Sequence, residues 1–320
     1  MRARNLTAGT GSLLVFLWAG ALLLMQLFTL LITPYLDKAW LKYAWMGLHE
    51  ILFLLGPLFL LRGKQALAPI HKIEKKTGEW PTIFLSALLA GCLYPLIMIL
   101  QNFWQILMET LGIRVPVTPL QETKNVWEFL LAFVSVACIA GITEELCFRG
   151  TLLPAMTKKL RVIPSILLTA SVFAMMHGSF SALFYTFLIG CLLGWLTIYS
   201  QSIYPAMAYH ILNNTIALVL NHVSSPKPGR GLEELSVHQR LDAIKTILPI
   251  AIFLFCVGLL LFYWIRSRRE TRPEPPDKQK DNQRWWIPLV AGSMILGLLV
   301  IADLIGSFTG GMACISILFV

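Results

Sequence analysis

Charged side chains are scarce in this chain: Asp, Glu, Lys and Arg make up 13% of its 320 residues, against 57% apolar types. A soluble domain of that composition would expose large apolar areas to water, so ordinary soluble classes are excluded. A P-loop, a dinucleotide-binding fingerprint and internal repeats are also missing, which leaves no sign of nucleotide-driven chemistry or of a repeat array. Cysteine is sparse and unpaired in spacing. Cys92, Cys138, Cys147, Cys191, Cys256 and Cys314 all lie in apolar runs. That pattern speaks against a disulfide framework or a zinc site and predicts small core residues.

Long apolar runs dominate what is present. A helix needs about 20 apolar residues to cross the hydrocarbon layer. Nine stretches approach that length, near 11–33, 43–61, 82–105, 127–156, 163–179, 181–199, 203–220, 246–265 and 286–306. With a mean hydropathy of +0.70, they predict an all-α polytopic transmembrane bundle of about eight or nine spans. The first run is too long for a signal peptide and no small-residue cleavage site follows it, so it is read as the first span.

Each ionised group inside such a run costs on the order of 2.5–3.5 kcal/mol on insertion scales, so intramembrane polar residues are functional candidates. They are His49 and Glu50; Glu144, Glu145 and Arg149; His177; His210 with Asn213 and Asn214; and Asp303. His49–Glu50 begins like a zincin motif, but Phe53 stands where the second histidine is required, and a pair facing the bundle interior or a water interface is expected instead. Asp303, near the end of the last run, is assigned to packing or interface placement.

The other clusters converge in depth. Glu144 precedes Lys158 by 14 residues and His177 follows Arg161 by 16, which at 1.5 Å per residue puts both about 20–24 Å from one basic turn. His210 and Asn214 enter from the polar turn at Gln201 to roughly 14–20 Å, and their i,i+4 spacing places them on one face, as it does Phe173 and His177. Glu145 and Arg149 are i,i+4 with the acid first, the favourable order for an ion pair. Glu144 is offset by about 100° and left for another task, while Asn213 points away as a packing residue. Pro154 is expected to end or bend the fourth helix.

In that order, E-E-x-x-x-R (Glu144, Glu145, Arg149), F-x-x-x-H (Phe173, His177) and H-x-x-x-N (His210, Asn214) resemble the motifs of the CAAX protease and bacteriocin-processing family of intramembrane glutamic endopeptidases. The resemblance covers about 125–225. It implies a core at 126–225; the apolar runs place N-terminal helices at 1–125 and C-terminal helices at 226–320 around it, with a basic linker near 266–284. It further implies that Glu144 activates a water, that His177 binds that water and passes a proton to the leaving amine, and that His210 and Asn214 hydrogen-bond the oxyanion. Glu145, Arg149 and Phe173 are expected to support the site. A peptide or membrane-protein substrate in the lipid bilayer, no nucleic acid and no cofactor are expected. Two alternatives stand beside this reading. Glu144, His177 and His210 would make three zinc ligands, although no H-x-x-x-H pair is present. The same groups would also suit a non-catalytic scaffold or a proton-coupled transporter, although no paired broken helices mark two matching halves.

Orientation follows from the basic residues. Placing the N-terminus inside puts 17 of the 26 Lys and Arg residues on the same side, including those of 62–80, 158–161 and 266–284. The positive-inside rule then assigns the N-terminus to the cytoplasm of an inner or plasma membrane. Single cysteines placed at Arg2 and Lys278 should react with a membrane-impermeant thiol reagent only after the membrane is opened; labelling of both in intact cells would reverse the topology.

Overall fold

The computed structural model describes residues 6–63, 79–113, 123, 125–224, 236–267 and 284–309. Nine helices make up these residues: α1 Ala8–Ile32, α2 Ala39–Arg62, α3 Glu79–Thr110, α4 Val126–Met156, α5 Val162–Met176, α6 Leu183–Ser200, α7 Tyr204–Ser224, α8 Val237–Ser267 and α9 Trp286–Thr309. They coincide with the nine apolar runs. Most of the linker expected near 266–284, and Cys314, lie outside the described residues. Seven helices are long and apolar enough to cross a membrane, and the protein is an integral membrane protein. The other two fall short for informative reasons. α5 has only 15 residues, about 22 Å against an apolar layer of roughly 30 Å. α7 has the length but carries His210, Asn213 and Asn214.

Local chemistry sets the helix ends. Asn125 accepts from the Glu128 amide at 3.0 Å and caps α4, and Thr7 does the same for α1 through Thr10. α5 stops at Met176 because Gly178 takes φ 61°, a conformation glycine adopts without the penalty of a Cβ. The expected span 163–179 is therefore shorter at its C-terminal end, and His177 becomes the C-cap. Pro154 neither ends nor breaks α4. It follows directly on a widened turn at Phe148–Leu152, and the helix runs on to Met156.

The two larger of four apolar clusters among the described residues flank the polar groups. One gathers Trp18, Phe53, Leu54, Phe148, Phe173 and Leu296 from α1, α2, α4, α5 and α9. The other gathers Leu89, Leu193, Tyr209 and Ile265 from α3, α6, α7 and α8. Tyr209 of the second core immediately precedes His210, and the Phe173 ring of the first lies 6.0 Å from that imidazole, so the polar cluster sits where the cores meet. α8 packs on α3 with only 11% of its apolar window buried and turns Phe253, Leu260 and Tyr263 outward, as a peripheral lipid-facing helix does. The cysteines differ from expectation. Cys147 is fully buried, Cys92, Cys138 and Cys191 are half-buried and Cys256 is exposed, because an apolar run in a membrane helix includes the face that meets lipid.

Close helix approach is built on glycine. A Cβ at Gly292 of α9 would stand 2.8 Å from the Phe16 backbone of α1, which has no side chain to move aside, whereas one at Gly297 meets nothing within 4 Å. Gly292→Ala should therefore lower thermal stability in detergent by about 1–3 kcal/mol. Gly297→Ala should be neutral or stabilising by up to about 1 kcal/mol. Equal effects would show that α9 does not pack on α1 this way.

Candidate active site

The two glutamates lie on a short regular segment of α4, Ala140–Cys147, bracketed by wide π-type turns at Phe133–Ile139 and Phe148–Leu152. Such turns recur at functional sites because they re-aim side chains within a continuous helix. Glu145 and Arg149 are completely buried and paired, with Nη1 donating to Oε1 at 2.7 Å. The other terminal nitrogen of Arg149 donates to the Gly190 carbonyl of α6 at 3.0 Å. The guanidinium carbon lies 4.5 Å from the centre of the Phe173 ring, a desolvated cation–π contact. Gly190 permits this approach, since a Cβ there would meet Ala170 at 3.0 Å and Phe173 at 3.2 Å.

His210 reaches the acids from α7. Its Nδ1 lies 2.9 Å from Glu145 Oε1, a bond the helical periodicity did not disclose, and its Nε2 lies 3.6 Å from Glu144 Oε2. Gly141 sets the depth of this contact, because a Cβ there would stand 2.8 Å from Ile211. Glu145 thus serves two partners while Glu144 has a different neighbourhood.

His177 is placed by the end of α5. The last carbonyls of a helix lack intrahelical donors, and the His177 Nδ1 satisfies one of them, Phe173 O, at 2.9 Å. A carbonyl accepts, so Nδ1 carries a proton and Nε2 is the acceptor nitrogen of the neutral ring. The F-x-x-x-H spacing is therefore a capping arrangement as well as a ring contact, with the two rings edge to face at 4.9 Å. Beyond it, Phe180 N donates to Asp303 Oδ2 at 2.9 Å, and Trp104 Nε1 donates to Phe180 O at 3.2 Å. Asp303, expected to serve packing or interface placement, bonds the loop that follows His177.

Glu144 and His177 line one small cavity with Glu50, Phe53, Leu54, Phe148, Phe173 and Met176, with room for about one water. Asn214 is not among them. Its Nδ2 donates to Val136 O at 3.0 Å, on the first widened turn of α4, and Asn213 donates to Asn214 Oδ1 at 3.3 Å. Glu50 faces the bundle interior, one of the two placements expected of it, and there it lines the cavity with Glu144, which sequence reading did not foresee. The available signal was Gly47, one turn earlier. A Cβ there would stand 2.9 Å from Ser135 Oγ, so glycine lets α2 lie close against α4. Among the described residues no three His, Cys, Asp or Glu side chains are grouped to hold a metal ion, so the zinc arrangement of Glu144, His177 and His210 has no assembled donor set.

Residues 125–216 match the family model described as type II CAAX prenyl endopeptidase Rce1-like, which is the CAAX protease and bacteriocin-processing family that the three motifs resemble. No curated protein and no solved structure matches the chain.

Removing one member of a buried ion pair costs about 3–5 kcal/mol because the other is left uncompensated. Glu145→Gln should therefore lower thermal stability in detergent by that order, and adding Arg149→Met should recover part of the loss. A double variant no more stable than Glu145→Gln alone would show that the pair is not what holds these helices.

Proposed function

We propose that this chain, family-matched across the segment that holds Glu144, His177 and His210, is an intramembrane endopeptidase that hydrolyses a peptide bond with glutamate-activated water. The observation that carries this reading is the cavity with room for about one water between Glu144 and His177, flanked by His210. Glu144 accepts a proton from the water as its oxygen attacks the peptide carbonyl. His177, whose Nδ1 is committed to Phe173 O, uses Nε2 to orient that water and to relay the proton to the leaving nitrogen. His210 faces the developing oxyanion with Nε2 and donates to it when that nitrogen carries a proton. Asn214 has a second amide hydrogen besides the one given to Val136 O, and this is the one an oxyanion would take. Oxyanion donors fixed in a water-poor site are worth about 2.7–4 kcal/mol each in well-studied hydrolases.

Glu145, Arg149 and Phe173 position these groups without touching substrate. The substrate class is a peptide or membrane protein whose scissile bond reaches this depth from the cytoplasmic side. The proposed catalytic core is 126–225, with the N-terminus cytoplasmic.

Comparing protein termini in membranes from cells that carry the wild type or Glu144→Gln tests the activity. New termini should appear with the wild type and be absent with the variant, at equal amounts of inserted protein. Cleavage by the purified wild type should persist after exhaustive chelation. Identical termini in both cells would favour the scaffold or transport reading, and activity restored by zinc after chelation would make the metal version correct.

A further inference from the structure

The sequence motifs account for two acids, but the site contains three. Glu50 comes from α2, outside the segment matched by the family, and is 6% exposed. Its side chain and that of Glu144 face the same small cavity. One oxygen of each, Glu50 Oε1 and Glu144 Oε2, is buried without a hydrogen-bond partner among the described residues. His177 lines the same cavity.

Ionised carboxylates only accept hydrogen bonds, so a bond between two carboxyl groups requires a proton on one of them. The surrounding charges demand the same. Three acids, Glu50, Glu144 and Glu145, face two groups able to carry positive charge: Arg149, which pairs with Glu145, and His210, whose Nε2 lies 3.6 Å from Glu144 Oε2. With at most two cations against three carboxyl groups in a water-poor site, one carboxyl keeps its proton. Glu144 must be the ionised member if it is to take a proton from water.

We propose that Glu50 and Glu144 form a carboxyl dyad holding one proton, in which Glu50 is the positioning residue that keeps the proton and Glu144 is the base. This rests on the protease reading above. In the step, a water O–H bond breaks and its proton goes to the Glu144 carboxylate. The water oxygen bonds to the peptide carbon, and the carbonyl π pair moves onto oxygen. The proton then passes through His177 to the amide nitrogen as the C–N bond breaks, releasing an acid and an amine. The Glu50 proton stays in place throughout, donating to Glu144 so that this carboxylate keeps one orientation toward the water.

Infrared spectra of purified protein at neutral pH test the shared proton without any substrate. Wild type should show one carboxylic-acid C=O band that Glu50→Gln lacks. A band that survives Glu50→Gln and disappears in Glu144→Gln would put the proton on Glu144 and overturn the proposal, as would identical spectra.

Turnover of a fluorophore–quencher peptide spanning a bond found by the terminus comparison tests the role. Glu50→Gln, which keeps an N–H donor, should lose about threefold in kcat, and Glu50→Leu about 100-fold with KM within about twofold, per folded molecule. Equal turnover of Glu50→Leu and wild type with Glu144→Gln inactive would sink the dyad alone. Normal turnover of Glu144→Gln would sink the glutamate-base reading itself. Thermal unfolding of each variant separates loss of fold from loss of chemistry.

Discussion

The Arg149 guanidinium is the constraint around which the rest is arranged. A cation in an apolar layer is tolerated only if paired and hydrogen-bonded, and the partners here come from four helices. Glu145 on α4 supplies the countercharge, Gly190 on α6 a carbonyl and Phe173 on α5 a ring face, while His210 on α7 bonds the same Glu145 oxygen. Satisfying one charge therefore fixes the relative positions of α4, α5, α6 and α7. Glu144, one residue along, inherits a set of neighbours it did not have to recruit.

Backbone groups obey the same rule. α5 ends inside the depth of the bundle, where exposed carbonyl and amide groups would be costly unless bonded within the protein. The His177 ring bonds the Phe173 carbonyl, Trp104 bonds the Phe180 carbonyl and Asp303 takes the Phe180 amide. The groups that terminate the helix are also the groups that aim the imidazole. The widened turns of α4 and α2 act similarly: Leu54 O, in the wide segment Ile51–Leu55, accepts from Trp18 Nε1 at 3.0 Å and Cys147 Sγ at 3.5 Å, tying α1, α2 and α4 together beside the cavity.

Helix number and the matching depth of the three motifs were legible because both depend on chain distance along a helix, which sequence states directly. The Glu145–Arg149 pair was legible for the same reason, and it survives although Arg149 lies in a widened turn. What sequence spacing does not carry is the contact between helices. The His210 bond to Glu145, the commitment of Asn214 to Val136 O and the grip of Asp303 on Phe180 depend on rotation and approach, and the glycines at 47, 141 and 190 permit that approach. The common face of His210 and Asn214 was legible from their spacing, but their own partners, at the acids and at the first wide turn of α4, were not.

Glu50 and Asp303 change what counts as the site. Both lie outside the segment that carries the motifs, one before it on α2 and one after it on α9, yet one shares the cavity with Glu144 and the other holds the loop behind His177. α1 packs on α9 and also contacts α2 and the end of α4, so the flanking helices reach the cavity through a continuous set of contacts. In this chain Glu144 shares its cavity with a carboxyl nearly a hundred positions upstream, on a helix that Gly47 lets lie against Ser135.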